Sequence, residues 1–323
     1  MPATHRPGAT RVTALPSQPR ALPTKLTAVH VVTLRDPSSS LTAEFVPDAG
    51  MIGTSLAEAG TELLGQRRGL DAYLTAGKTM GIPILYPWAN RLGANTYTAE
   101  NRTVTLTPGE GGVRADPHGL PIHGVLAAYP DWRITAQSDN ELTAEVDFDD
   151  ARLLASFPYP HVLELTVRLV ERTLALRTTV TATGDTPVPL CFGFHPYLRI
   201  PDAGRAEWII ETPPLRRLEL DDKGLPTGTT TEQHALQEPL GDKAFDDAYD
   251  QVPAGAVFAV SGGGRRLEVH FEQGYPAAQI FAPVGEDLLC FEPMAAPTDA
   301  LRRGGYRAAQ PGQPAVAQFS IRV

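Results

Sequence analysis

Cysteine is nearly absent: Cys191 and Cys290 are the only two among 323 residues. With no Cys-x-x-Cys pair and no Cys/His zinc spacing, neither a disulfide scaffold nor a structural zinc centre is expected. Basic clusters are lacking too. The 37 acidic residues outnumber 28 basic ones, giving a net charge of −9, which argues against nucleic acid or an anionic membrane as partner. No run of 18 apolar residues occurs, so nothing reads as a membrane-spanning helix. The N-terminus carries Arg6 and Arg11 but no apolar stretch before its prolines. A secretory signal is therefore not expected, and the cytoplasm is the expected compartment. Long amphipathic helices and fixed-period repeats are also missing, which disfavours a helical bundle, a propeller and a solenoid.

What the chain has instead is turns and short strands. Its 29 glycines and 30 prolines are spread throughout, and its 42% hydrophobic content suits a sizeable core. Residues 1–24, rich in Pro, Thr, Ala and Arg without periodicity, read as a disordered leader; residues 25–323 read as one domain. Within it, Leu142, Ala144, Val146 and Phe148 keep a period of two, as do Leu163, Leu165, Val167 and Leu169, and then Leu174, Leu176 and Val180. A helical turn or two is expected between Arg67 and Gly77, around Leu70, Tyr73 and Leu74. The fold class is all-β, with roughly fifteen or more antiparallel strands. Because one open sheet rarely holds so many, a large sandwich of two packed sheets is expected.

Four polar spots interrupt apolar, proline-punctuated segments. Tyr86-Pro-Trp-Ala-Asn-Arg91 releases Asn90 and Arg91, hydrogen-bond donors beside an aromatic. Gly119-Leu-Pro-Ile-His-Gly124 places His123 before a glycine. Gly193-Phe-His-Pro-Tyr197 and Cys290-Phe-Glu-Pro-Met294 put His195 and Glu292 each at an expected strand end, clipped by Pro196 and Pro293. Rigidly held, an imidazole and a carboxylate can serve as general acid and base. Taken singly, each residue reads as a strand-end cap, a turn histidine or a surface ion pair. Gly193 reads as clearance for a ligand beside the imidazole. Strand parity puts Cys191 on the face of His195 and Cys290 on that of Glu292, so both thiols are expected beneath the pair as small buried hydrophobes.

In this order and spacing the four segments resemble the aldose 1-epimerase (galactose mutarotase) family over nearly the whole chain after residue 30. The resemblance implies a β-supersandwich, no cofactor and no metal, and interconversion of the α and β anomers of a free aldose. It implies Glu292 as general base and His195 as general acid, with Arg91, His123 and Asn90 at the sugar. Phe245-Asp-Asp-Ala-Tyr249 is similar to the family's aromatic-Asp segment, implying Asp246 as a hydroxyl ligand, with Asp247 competing because the doubled aspartate leaves the register open. Three other readings compete: a hexose-6-phosphate 1-epimerase using Arg67, Arg68, Lys78 or Arg199, a non-catalytic carbohydrate-binding protein, and a metalloenzyme. The last lacks any HxH or HExxH spacing.

Overall fold

The computed structural model describes residues 29–323. The leader expected at residues 1–24 lies outside them. Where the sequence alternates, strands form. Along Glu141–Phe148 the residues Leu142, Ala144, Val146 and Phe148 are buried, while Glu145 and Asp147 reach towards solvent. This strand pairs with His161–Val170, which pairs in turn with Thr173–Ala182. They belong to a nine-stranded antiparallel sheet that continues through Ala315–Arg322, Arg265–Gln273, Ala256–Gly262 and Ile209–Thr212.

A second, eight-stranded sheet runs in the order Pro226–Gln233, Leu215–Leu220, Phe245–Asp250, Ala277–Ala282, Leu289–Met294, Gly193–Phe194 and Ile84–Leu85. Tyr197–Leu198 also pairs with Leu289–Met294. The inner faces of the two sheets meet in the main core. Phe194 packs on Phe319 with ring centroids 5.0 Å apart, and Phe258 on Phe291 at 5.4 Å. A four-stranded sheet from Val32–Arg35 to Thr61–Glu62 leads to a short helix, Gly69–Ala76, which stops at Gly77 in the left-handed region. The helix lies where Leu70, Tyr73 and Leu74 place it.

The outer face of the eight-stranded sheet is covered rather than open, so every residue of Leu289–Met294 is buried. Part of the cover is the segment after Ile84–Leu85: Ala89 packs with Leu85, Ala277 and Met294. This cover creates the interior in which the site sits.

One expectation fails here. Pro293 does not end its strand, since Leu289–Met294 runs through it, and the strand that stops at Phe194 before His195-Pro196 resumes at Tyr197–Leu198. Gly193 opposes Met294 and Tyr197 opposes Cys290 in a single register, which sets His195 opposite Glu292. The amides of His195 and Tyr197 bond away from this ladder, to Pro83 and Gly81, while the Ala295 amide bonds Phe192 across it. By alternation, Pro196 and Pro293 occupy positions whose N–H would point into the ladder. The prolines remove two cross-strand donors and leave the chain extended. The His195 strand is interrupted at its proline and resumes, whereas Leu289–Met294 continues unbroken through Pro293.

A candidate active site on the outer sheet face

His195 and Glu292 oppose each other as a pair whose own amides do not bond one another, the arrangement that brings cross-strand side chains closest. His195 Nε2 lies 3.1 Å from Glu292 Oε1. Glu292 is 1% exposed and His195 6%, so the pair is shielded from bulk water. Burial pushes the Glu292 carboxyl well above the usual carboxylate range, and the negative Asp246 adds to this. Burial likewise holds the His195 imidazole down to about 3, with the positive Arg67 contributing. Both shifts favour the uncharged partners, a carboxylic acid beside a neutral imidazole. Glu292 Oε2 and His195 Nδ1 are buried with no hydrogen-bond partner in the protein.

The next strand supplies a second row. Gln279 opposes Glu292, and its amide nitrogen donates to Asp246 Oδ1 at 2.6 Å. Asn90, from the covering segment, donates to Gln279 Oε1 at 3.2 Å and to Thr298 Oγ1 at 3.0 Å. Alternation puts the two aspartates on opposite faces. Asp246 meets Gln279 on the site face, whereas Asp247 points to the other face and accepts from Arg217 at 2.6 Å. Arg91 Nε donates to the buried Asp116 at 3.0 Å and joins Asp246, His118 and Lys223 around a cleft of about 300 Å³.

His123 approaches from the covering side. Its ring centroid is 6.0 Å from that of His195, edge to face. Burial and the positive Arg114 depress its pKa, so it stands as a neutral imidazole. Its position depends on Gly124, in the left-handed region at φ +66°, where a Cβ would lie 1.9 Å from the Tyr86 carbonyl oxygen. That close approach joins the His123 segment to the Tyr86–Arg91 segment, and the His123 amide donates to Asn90 O at 2.8 Å. The structure thus gathers Glu292, His195, Asn90, His123, Arg91 and Asp246 around one face.

Comparisons with known proteins bear on the family and the fold. A sequence model of the aldose 1-epimerase family matches residues 30–321. The chain belongs to the aldose 1-epimerase family. Its fold is similar to that of Slr1438 from Synechocystis sp. PCC 6803, with a TM-score of 0.76 at 23% identity over 92% of this chain and 96% of that one. It is also similar to the GalM/aldose epimerase homologue from C. elegans, with a TM-score of 0.72 at 18% identity, covering 91% and 98%. Galactose 1-epimerase from Lactobacillus acidophilus NCFM shares the fold at 11% identity, with a TM-score of 0.70 over 91% and 98%. Among curated proteins, YihR of Escherichia coli (strain K12) is 29% identical over 147 residues, and that match spans 45% of this chain and 44% of YihR.

Against the family's sandwich, two sequence expectations need correction. The place where a Gly193 side chain would stand is taken by protein, since its Cβ would lie 2.7 Å from Pro293 O and 3.2 Å from Ala89. Gly193 therefore serves packing of the covering segment rather than ligand clearance. Cys290 does share the site face, clustered with Tyr197 and Leu288. Cys191 does not: it belongs to the main core with Tyr86 and Tyr97. It sits between Val188–Leu190 and Gly193–Phe194, which join different sheets, and parity does not carry across such a transfer.

Three residues at the candidate site were not assigned to it from the sequence. Gln279 is one, although a lone glutamine inside Ala277-Ala-Gln-Ile-Phe281 is a readable signal. Tyr197 stacks on His195 at 4.3 Å with 10° between planes, and its hydroxyl meets Thr79 Oγ1 at 2.6 Å. Neither Tyr197 nor Thr79 stands out before the fold brings them together. Among the described residues, no group of three or more His, Cys, Asp or Glu side chains is arranged to hold a metal ion.

Proposed function

We propose that this protein is an aldose 1-epimerase that interconverts the α and β anomers of a hexose by opening and reclosing its ring. The observation that carries the reading is the buried His195–Glu292 pair, 3.1 Å apart. Ring opening removes the proton from the C1 hydroxyl and delivers one to the ring oxygen. Both oxygens are bonded to C1, so the base and the acid must stand side by side. Glu292 takes the hydroxyl proton; His195, as imidazolium, protonates the ring oxygen as the C1–O bond breaks. C1, now an aldehyde, turns its other face to the hydroxyl, and reclosure reverses both transfers.

The electrostatics favour the middle of this sequence. The cyclic sugar needs carboxylate and imidazolium, whereas the open aldehyde coexists with carboxylic acid and neutral imidazole. Burial stabilises the uncharged pair relative to the ionic one, lowering the free energy of the opened state. Since the pair shares one proton, its titration belongs to both groups together. In this reading Asp246, Gln279, Asn90 and Arg91 bind ring hydroxyls, with the His123 ring edge to face with the imidazole. A polarimetric assay of glucose and galactose tests this: Glu292→Gln should lower kcat by roughly 10²–10⁴-fold. Near-normal anomerisation by that variant would overturn the assignment.

A further inference from the structure

We infer that Asp116 is a positioning residue for the sugar site, holding Arg91 by Nε so that its Nη nitrogens are left for the ligand. The inference rests on the epimerase reading above, in which Arg91 binds a ring hydroxyl. The Asp116 side chain is fully buried, while that of Arg91 stays 19% exposed where it lines the Asp246 cleft. Arg91 Nε donates to Asp116 Oδ2 at 3.0 Å. Among the described residues, neither Nη nitrogen of Arg91 has an acceptor in the protein. A guanidinium is planar and its five N–H groups form a rigid fork, so an acceptor on Nε sets the directions of the other four. The turn between Leu215–Leu220 and Pro226–Gln233 also bears on it, since a Cβ at Gly224 would clash with Nη1. Arg91 is thus held by a bond at Nε and by backbone beside Nη1.

The local turn alone does not call for a carboxylate. Asp116 Oδ1 accepts the amides of His118 and Leu120, each at 2.8 Å, and so shapes the turn that leads to His123. Asparagine or serine makes the same kind of turn without placing a charge where water is excluded. The charge is matched by Arg91. This turn is laced to the Arg91 segment by backbone as well: the Leu92 amide donates to Pro121 O at 2.9 Å, and the His123 amide to Asn90 O at 2.8 Å. One carboxylate therefore ties the guanidinium to the backbone that carries His123, and fixes where the two stand relative to each other. The rival account is a staple that holds the fold and leaves the sugar untouched.

A double-mutant cycle on the full chain separates the two, with kcat and KM read by polarimetry on glucose and galactose and a urea midpoint taken for each variant. Asp116→Asn keeps an oxygen for the two turn amides but sets an N–H donor against Arg91 Nε. In the native background it should lower kcat/KM about ten- to hundredfold. In the Arg91→Gln background, with no guanidinium left to hold, it should change kcat/KM by less than about twofold, whatever happens to the urea midpoint. Equal losses in both backgrounds, or no loss in the native one, overturn the inference. If Asp116→Asn does not fold, Asp116→Ser takes its place in the cycle. Arg91→Lys gives a reading independent of Asp116: an ammonium bound to that carboxylate has no rigid fork to aim at a sugar, so kcat/KM should fall at least about tenfold. Near-native activity of Arg91→Lys overturns the inference as well. If Glu292→Gln anomerises normally, the epimerase reading falls; if it does not and the cycle is additive, only the role of Asp116 falls.

Discussion

Glu292 is a carboxyl group held where its charge is poorly solvated. Its folded pKa lies well above the ordinary glutamate value of 4.5. Folding therefore favours the protonated form, and the stability this gives is full below pH 4.5 and lost as the pH rises towards the folded pKa. Glutamine keeps the shape without the charge. Glu292→Gln is expected to raise Tm at neutral pH, with the gain closing as pH falls to 4.5, measurable by thermal scans at several pH values. A flat difference across that range would contradict the burial argument. The expected gain at neutral pH would mark the carboxylate as kept for chemistry at the expense of stability. His195, Glu292 and His123 could be singled out in the sequence because each directly precedes a proline or glycine that breaks an apolar run, and Arg91 because it closes the apolar, proline-punctuated segment from Tyr86. Thr79 was not legible, because its contact with Tyr197 is made only by the fold and no sequence pattern displays it.

At the scale of strands, what matters is how His195 and Glu292 are brought opposite each other. Gly193 secures the approach of the covering segment, since its Cβ would meet Pro293 O at 2.7 Å. Gly193→Ala should therefore destabilise the protein by about 1–3 kcal/mol through overpacking, read as a lowered urea midpoint. If Gly193 served ligand clearance instead, KM would rise with the urea midpoint unchanged. The alternating strands and the helix at Gly69–Ala76 could be read from apolar spacing alone. The extended course of the chain through Pro196 and Pro293 could not, because a proline in an antiparallel ladder is tolerated or not according to which way its missing N–H would point. That direction is a property of the pairing, and pairing is set by residues a hundred positions away.

At the scale of the whole molecule, the two sheets support the site through their shared core. Phe258 of the nine-stranded sheet packs on Phe291, the neighbour of Glu292. Phe258→Ala should cost about 3–5 kcal/mol, seen as a lowered urea midpoint with an unchanged m-value. A sandwich of two large sheets followed from the number of alternating segments, but which sheet faces the site did not, because both faces of Leu289–Met294 are buried and apolar patterning cannot rank them. The interrupted ladder has one further consequence. Antiparallel strands possess a local twofold axis between any two opposed residues, and here that axis passes between His195 and Glu292. The dipeptides His195-Pro196 and Glu292-Pro293 are images of each other about it, so the backbone presents the imidazole and the carboxylate even-handedly. In the proposed reaction, a sugar that swaps one face of C1 for the other meets a backbone frame with no built-in preference between its two anomers. Any bias in binding them must come from the dissimilar flanks, Gln279 and Asp246 on one side and Tyr197 and Thr79 on the other.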